Sequence, residues 1–260
     1  MNKRIAIITG ASGGIGKEFT KLMLQEKVDE IWSIARNQDK LTALKKEFGD
    51  KIVTIQADLS KSTELHSIGE LLKNQKPVIA YLINNAGLAK MGSYQDFTVD
   101  EIQDTISINC SAVVVLCTLC IPYMGKGSRI LNISSAASFQ PLPYLNLYSA
   151  TKVFERTYSR SLNVELRGTG ITSTAVCPSW VDTDLLVKEF NGKKIKFPGI
   201  VESDKVAIKA LRDAKRGKDM SVCTLYVKYE HVLSKLFSQK MVMNTWVHKI
   251  KKYIGHEWGK

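Results

Sequence analysis

Tyr148 and Lys152 stand four positions apart in "YSATK" (148–152). Residues at that spacing share one face of a helix, close enough for their side chains to meet. A phenol ordinarily titrates near pH ~10, too high for acid–base work at neutral pH, and a nearby ammonium favours the phenolate. The pair is a candidate proton donor with its tuning cation, although Tyr and Lys at this spacing also arise by chance. A second candidate is "TGASGGIG" (9–16), in which Thr9, Gly10, Ser12, Gly14, Ile15 and Gly16 close an apolar run and open a helical pattern. Glycines allow a tight turn, and a helix N-terminus offers free N–H groups and the positive end of its dipole. The loop is therefore placed to bind the pyrophosphate of a dinucleotide. The next β-rich run ends "SIARN", with Ala35, Arg36 and Asn37. A carboxylate there would read the free ribose 2′-hydroxyl of NAD, whereas a guanidinium suits a 2′-phosphate, which favours NADP(H).

These residues need elements to hold them. Apolar β-rich runs fall at 4–10, 29–37, 52–60, 78–87, 128–138 and 170–180, and helical spacing fills the intervals. A long helix is expected over 99–124, and the helix carrying Tyr148 and Lys152 runs to about 167. Strands alternating with helices at this pace make βαβ units and a parallel sheet. No Pro/Gly/Ser linker interrupts the 260 residues, so a single domain fits better than two.

Composition narrows the class. Hydrophobic content of 44% and charged content of 24% are those of a soluble globular chain. The N-terminal apolar run, Ile5 to Ile8, is too short for a signal-peptide core, and no run of about 18 uninterrupted apolar residues exists, which points to the cytoplasm. Five cysteines, an odd number, suggest reduced thiols. "CTLC" (117–120) lies in an apolar run and reads as two small core thiols rather than a redox or metal motif. The four histidines show no metal-ligand spacing, so no metal is expected. The net charge of +12 is uneven: from Lys193 onward sixteen Lys/Arg face six Asp/Glu, leaving only +2 for the first 192 residues.

Thr9-Gly10-x3-Gly14-x-Gly16, "NNAG" (84–87), "LNISS" (131–135) and Tyr148-x3-Lys152 together resemble the short-chain dehydrogenase/reductase family, in its order and spacing, over roughly residues 4 to 190. The resemblance implies a three-layer α/β Rossmann fold, a doubly wound parallel sheet of about seven strands, and an NAD(P)-dependent carbonyl/alcohol reaction. It implies a Rossmann and catalytic core over 1–190. Residues 191–260 would add the substrate lid, the last strand and a C-terminal helical extension of the same domain. It assigns Tyr148 as acid/base, Lys152 as the residue that tunes it and holds the nicotinamide ribose, Ser135 as the substrate-positioning serine with Ser134 its competitor, and Asn109 as a link in the proton relay. Asp58, followed by Leu59, would meet the adenine, and Asn85, Ala86 and Gly87 would support the cofactor's adenosine side. Pro178, Val181 and Thr183 would lie near the nicotinamide carboxamide, with Ser179 where the family usually has glycine. A homodimer or homotetramer through the helices near 99–124 and 148–167 is also implied.

Beyond Leu186 the family diverges. "LLVKEFNGKKIKF" reads as an apolar, helix-like flap that turns basic, suited to closing over an apolar substrate. The tail from Tyr226 places six lysines between 228 and 252 among Leu, Phe, Met and Trp. Such basic amphipathic helices cover hydrophobic sites or rest peripherally on anionic membranes. In character the tail is similar to the 17β-hydroxysteroid and 3-oxoacyl reductase branch, which acts on lipophilic ketones. Sugars or small polar carbonyls are the alternative substrates, and an NADP(H)-binding regulatory protein is the alternative class. Nucleic acid explains the charge less well, since no binding motif accompanies it.

Overall fold

The six short apolar runs become strands, and helices fill the intervals between them. The computed structural model describes residues 2–183, 186, 189–190, 193–194, 197 and 199–254. The chain runs β1 (Arg4–Thr9), α1 (Gly14–Met23), β2 (Glu30–Ala35), α2 (Gln38–Phe48), β3 (Ile52–Gln56), α3 (Ser62–Gln75) and β4 (Val78–Asn84). It continues as α4 (Val99–Ile106), a π turn (Ser107–Ser111), α5 (Ala112–Cys120), β5 (Met124–Ile133), α6 (Asn146–Glu165) and β6 (Thr172–Val176). The C-terminal part holds β7 (Glu189–Phe190), β8 (Lys193–Lys194), α7 (Ser203–Lys215), β9 (Met220–Ser221), α8 (Leu225–Leu236) and α9 (Gln239–Ile254).

Seven strands form one parallel sheet in the order β3-β2-β1-β4-β5-β6-β9. Strand side chains alternate between faces, and both faces of a parallel sheet are covered by crossover helices. Along β1, Ile5 and Ile7 join Leu72, Leu116 and Leu162 of α3, α5 and α6 on one side. Ala6 and Ile8 join Phe19, Leu44 and Ala207 of α1, α2 and α7 on the other. Three layers result, and Cys117 and Cys120 are buried core residues of the middle helix, as their apolar surroundings indicate. The strand order reverses between β1 and β4, so the crevice at their C-terminal ends is where an open α/β sheet binds its ligand.

Three elements differ from the sequence expectation. The helix expected over 99–124 is interrupted at Ser107–Ser111 by a π turn, the kind of single-turn irregularity that collects at functional sites. It turns Asn109 inward, where side-chain bonds to Leu88 and Thr151 hold it. By length and composition the whole Val99–Tyr123 run could cross a bilayer, yet its α5 half buries Ala112, Val113, Leu116 and Cys120 against the sheet. The strand expected over 128–138 begins earlier, at Met124, and leaves the sheet after Ile133; Ala136–Phe139 then form a 3₁₀ turn. Finally, the described part of the supposed helical flap is an antiparallel pair, with Glu189 opposite Lys194 and Phe190 opposite Lys193. The intervening sequence is Asn-Gly, a strong two-residue hairpin signal; residues 184–185, 187–188, 191–192, 195–196 and 198 of that segment, and 255–260 of the tail, lie outside the described residues.

Candidate active site

β5 ends at Ile133, and the next two residues divide their labour. Ser134 is buried, and its hydroxyl donates to the backbone carbonyl of Lys152 at 2.7 Å, tying the strand end to α6. Ser135 is only half-buried; its Oγ accepts from the Ala137 N–H at 3.1 Å, capping the 3₁₀ turn. A hydroxyl that accepts keeps its own proton to donate. Of the two serines, Ser135 is the one left to meet a ligand.

α6 carries Tyr148 and Lys152 on the face turned toward that strand end. The Lys152 ammonium lies 5.7 Å from the centre of the Tyr148 ring. It is 4% exposed, and donates to the Ile133 carbonyl and to Glu155 Oε2, both at 2.7 Å. Burial works to lower the Lys152 pKa, but the charge and hydrogen bond of Glu155, together with Tyr148 and Cys110, outweigh it and hold the ammonium above its ordinary value. Glu155 is fully buried, and burial pushes its carboxyl up to about 7 despite the lysine. Asn109 does not bond Lys152 directly. Its amide donates to Leu88 O at 2.9 Å and Thr151 Oγ1 at 3.0 Å, and its oxygen accepts from Leu88 N–H at 2.8 Å. A Cβ on Gly87 would stand 3.3 Å from Asn109 Oδ1 and 3.5 Å from Lys152 Nζ, so the glycine leaves these two groups their shared space.

The two loops at the switch point are laced together. Thr9 Oγ1 accepts from the N–H groups of Asn85 and Ala86 at 2.9 and 3.0 Å, and Asn85 Nδ2 donates to the carbonyls of Thr9 and Gly10 at 3.1 Å each. A Cβ on Gly16 would lie 2.1 Å from the Gly10 carbonyl oxygen, so α1 reaches this depth only with glycine there. Gly14 has φ +50°, and its missing Cβ makes room for Thr183, whose Cγ2 would be 2.9 Å away. The C-terminal side of the site thus meets the glycine loop. α1 begins with no side-chain cap and no acidic residue in its first turn, and the space over Gly13 is open, with Ser12 and Ile15 half-buried on either side. Free N–H groups facing open space suit a phosphate, so the residues present fit a dinucleotide.

Farther along, Arg36 is exposed at the end of β2 and Asn37 caps α2 by accepting from Lys40 N–H at 2.8 Å. Asp58 accepts from the N–H and hydroxyl of Ser60. Burial alone would raise its carboxyl; the Ser60 bonds and the charges of Arg36 and Lys61 bring it below its ordinary value. Leu59 points into the core, leaving its backbone to the loop. Pro178 accepts from Ala136 N–H at 2.8 Å, and Val181 forms a parallel bridge with Val201.

The tail, read from its sequence as covering a hydrophobic site, contributes to an aromatic cluster beyond the end of β6. Trp180 packs on Phe197 at 4.9 Å and stacks with Trp246 of α9 at 6.2 Å, while Trp246 Nε1 donates to the Pro143 carbonyl at 2.9 Å. His231 of α8 lies 4.1 Å from Phe139, just beyond Ser135. Glu155 was missed, although its place three residues after Lys152 puts it on the same helix face.

Residues 4–194 match the family model described as short chain dehydrogenase. A 17-beta-hydroxysteroid dehydrogenase type 3 from Rattus norvegicus is 34% identical over 188 residues, which are 69% of this chain and 60% of the relative, so the match spans less than two thirds of that protein. A ketoacyl reductase, HetN, from Nostoc sp. is 28% identical over 218 residues, 81% of this chain and 76% of its own length. Among solved structures, a short-chain dehydrogenase from Sphingobium yanoikuyae in complex with NADPH has a TM-score of 0.76 at 26% identity, covering 99% of this chain and 98% of that one.

Proposed function

From the premise that this chain belongs to the short chain dehydrogenase family, we propose that it interconverts a lipophilic ketone and its secondary alcohol with NADP(H), using Tyr148 as acid/base. The observation that carries this is the Lys152 ammonium buried 5.7 Å from the Tyr148 ring, at the C-terminal ends of the central strands and beside a serine whose neighbour is already spent on structure.

The glycine loop and α1 would hold the pyrophosphate, Asp58 the adenine side, Lys152 the nicotinamide ribose, and Pro178, Val181 and Thr183 the carboxamide. When bound, the nicotinamide supplies or accepts the hydride. The chain's own residues manage the oxygen and its proton. Ser135 and Tyr148 hydroxyls donate to the substrate oxygen, opposing the negative charge that builds there during reduction. Tyr148 gives up its proton, and Lys152⁺ favours the phenolate left behind. Asn109 braces Leu88 and Thr151 around this group. NADP(H) over NAD(H) is favoured by Arg36 at the end of β2, where the described loop offers a guanidinium and no carboxylate.

Trp180, Phe197, Trp246 and Phe139 favour an apolar substrate over a sugar. Residues 191–260 read as a lid on the same domain as 1–190: β9 joins the sheet beside β6, and α7 packs on the face of α1. On α8, Leu225, Tyr229, Val232 and Leu236 form one exposed apolar stripe, with Lys228 and Lys235 alongside, which supports peripheral contact with an anionic membrane. Exposed Val99, Ile106, Val153, Phe154 and Val164 on α4 and α6 support a homodimer through those helices. The test is a panel of steroid, 3-oxoacyl, aromatic and sugar carbonyls with NADPH, followed by loss of nicotinamide absorbance. Turnover of sugars alone would overturn the substrate class, and no turnover of any carbonyl would overturn the activity.

A further inference from the structure

Lys152 has three N–H donors, and two are already committed, to Ile133 O and to Glu155 Oε2. A vicinal diol such as the ribose 2′,3′-pair calls for two more. The count exceeds three, so gripping both hydroxyls requires Lys152 to release one acceptor. Ile133 O belongs to β5 and is fixed by the sheet. Glu155 is the partner a rotation of the lysine chain can leave.

Leaving it has a consequence. Glu155 is fully buried and its second oxygen, Oε1, has no hydrogen-bond partner among the described residues. An ionised carboxylate stripped of its ammonium in such surroundings neutralises instead. Among the described residues, the groups that face it offer no substitute charge. Tyr148 shares its helix, Cys110 faces it from the π turn, Cys117 from α5 and Cys177 from the end of β6. Burial pushes the three thiols up to about 11, 12 and 12, so they stay neutral and cannot stabilise an anion.

We propose that Glu155 is a positioning residue that holds Lys152 back from the nicotinamide ribose and yields it on taking up a proton, coupling cofactor capture to protonation of a buried carboxylate. Glu155's role rests on the proposed hold of Lys152 on that ribose. Its carboxyl, poised near neutrality in the free protein, moves further up once the ammonium departs. Cofactor affinity therefore falls as pH rises.

The full-length protein is titrated with NADPH by nicotinamide fluorescence between pH 7 and 8.5, above the second ionisation of a phosphate monoester at about 6. Wild type is expected to bind about tenfold more weakly at the upper pH, the response of one group that gains a proton on binding. Glu155→Gln should bind with little pH dependence. Calorimetry of wild type at pH 7.5, in two buffers of different ionisation enthalpy, should register uptake of about half a proton or more, a measurement that needs no variant. Flat wild-type affinity with no proton uptake, or a Glu155→Gln protein that keeps the wild-type slope, overturns the role of Glu155 while leaving the proposed cofactor intact. Failure of both proteins to bind NADPH overturns the cofactor as well, and the proposal with it.

Discussion

The floor and the roof of the site are built in opposite ways. The floor, from β4 to β6 with α6, is a buried polar network: Ser134, Asn109, Thr151, Lys152 and Glu155 are each tied by at least one hydrogen bond of 2.7–3.0 Å. Among the described residues the roof, from Trp180 through α8 and α9, is held by ring contacts, by the buried Val227 packed near Phe139, by the Val201 N–H bond to the Trp180 carbonyl and by the indole bond to Pro143, and its outer face leaves Leu225 and Leu236 81% and 72% exposed. A buried network has few alternative arrangements, because each broken bond leaves a costly unpaired group. Apolar contacts are non-directional and tolerate change. The contrast teaches where the proposed properties are to be tested: the chemistry in the floor, the proposed substrate choice and membrane contact in the roof.

The comparison breaks if floor variants act like roof variants. Tyr148→Phe should cut turnover by on the order of 10²-fold or more, about 2.7 kcal/mol, while NADPH affinity measured by fluorescence stays near wild type. Near-normal turnover would remove Tyr148 from the chemistry. Arg36→Asp should lower the NADPH to NADH ratio of kcat/KM by about tenfold to a hundredfold, the worth of charge-assisted bonds to a 2′-phosphate. A wild type that already prefers NADH would refute the assignment of Arg36.

Roof variants should move KM instead. Trp246→Ala removes the stack on Trp180 and the bond to Pro143, and should raise KM for bulky lipophilic ketones by about fivefold through lost apolar contact, with small ketones hardly affected. An equal change for both sizes would make the roof a support for the floor rather than a pocket wall. The smallest effect is expected at the outer face. Cosedimentation with anionic liposomes should fade as salt rises, and Leu236→Ser should weaken it about threefold. Binding that ignores both salt and the substitution would reduce the stripe to a solvated face or a protein contact.

Legibility followed the same divide. The glycine loop, the strand–helix alternation and the Tyr148–Lys152 pair are short-range patterns, and the structure places them as their periods require. The resemblance favoured Ser135 over Ser134, but the physical difference between the two is not local. It lies in the Lys152 carbonyl, 18 positions away, which takes the Ser134 hydroxyl. Asn109 could be named, but the π turn that aims it could not, since nothing in "SINCS" breaks helical spacing. The flap misled because apolar residues in short runs fit either period, and the Asn-Gly pair was the stronger signal.

What the sequence determined by itself is the set of elements and the chemistry of the loop and the pair, because backbone periodicity and side-chain type act within a few residues. What only the tertiary structure decided is which groups share a buried space. Lys152 meets the end of β5 through the packing of α6 on the sheet. Trp246 reaches Pro143 across 103 positions because α9 packs back against Trp180 and the loop before α6. Glu155 is the clearest case: its spacing from Lys152 is written in the chain, but its burial, its orphaned oxygen and hence its proton depend on the neighbours that exclude water.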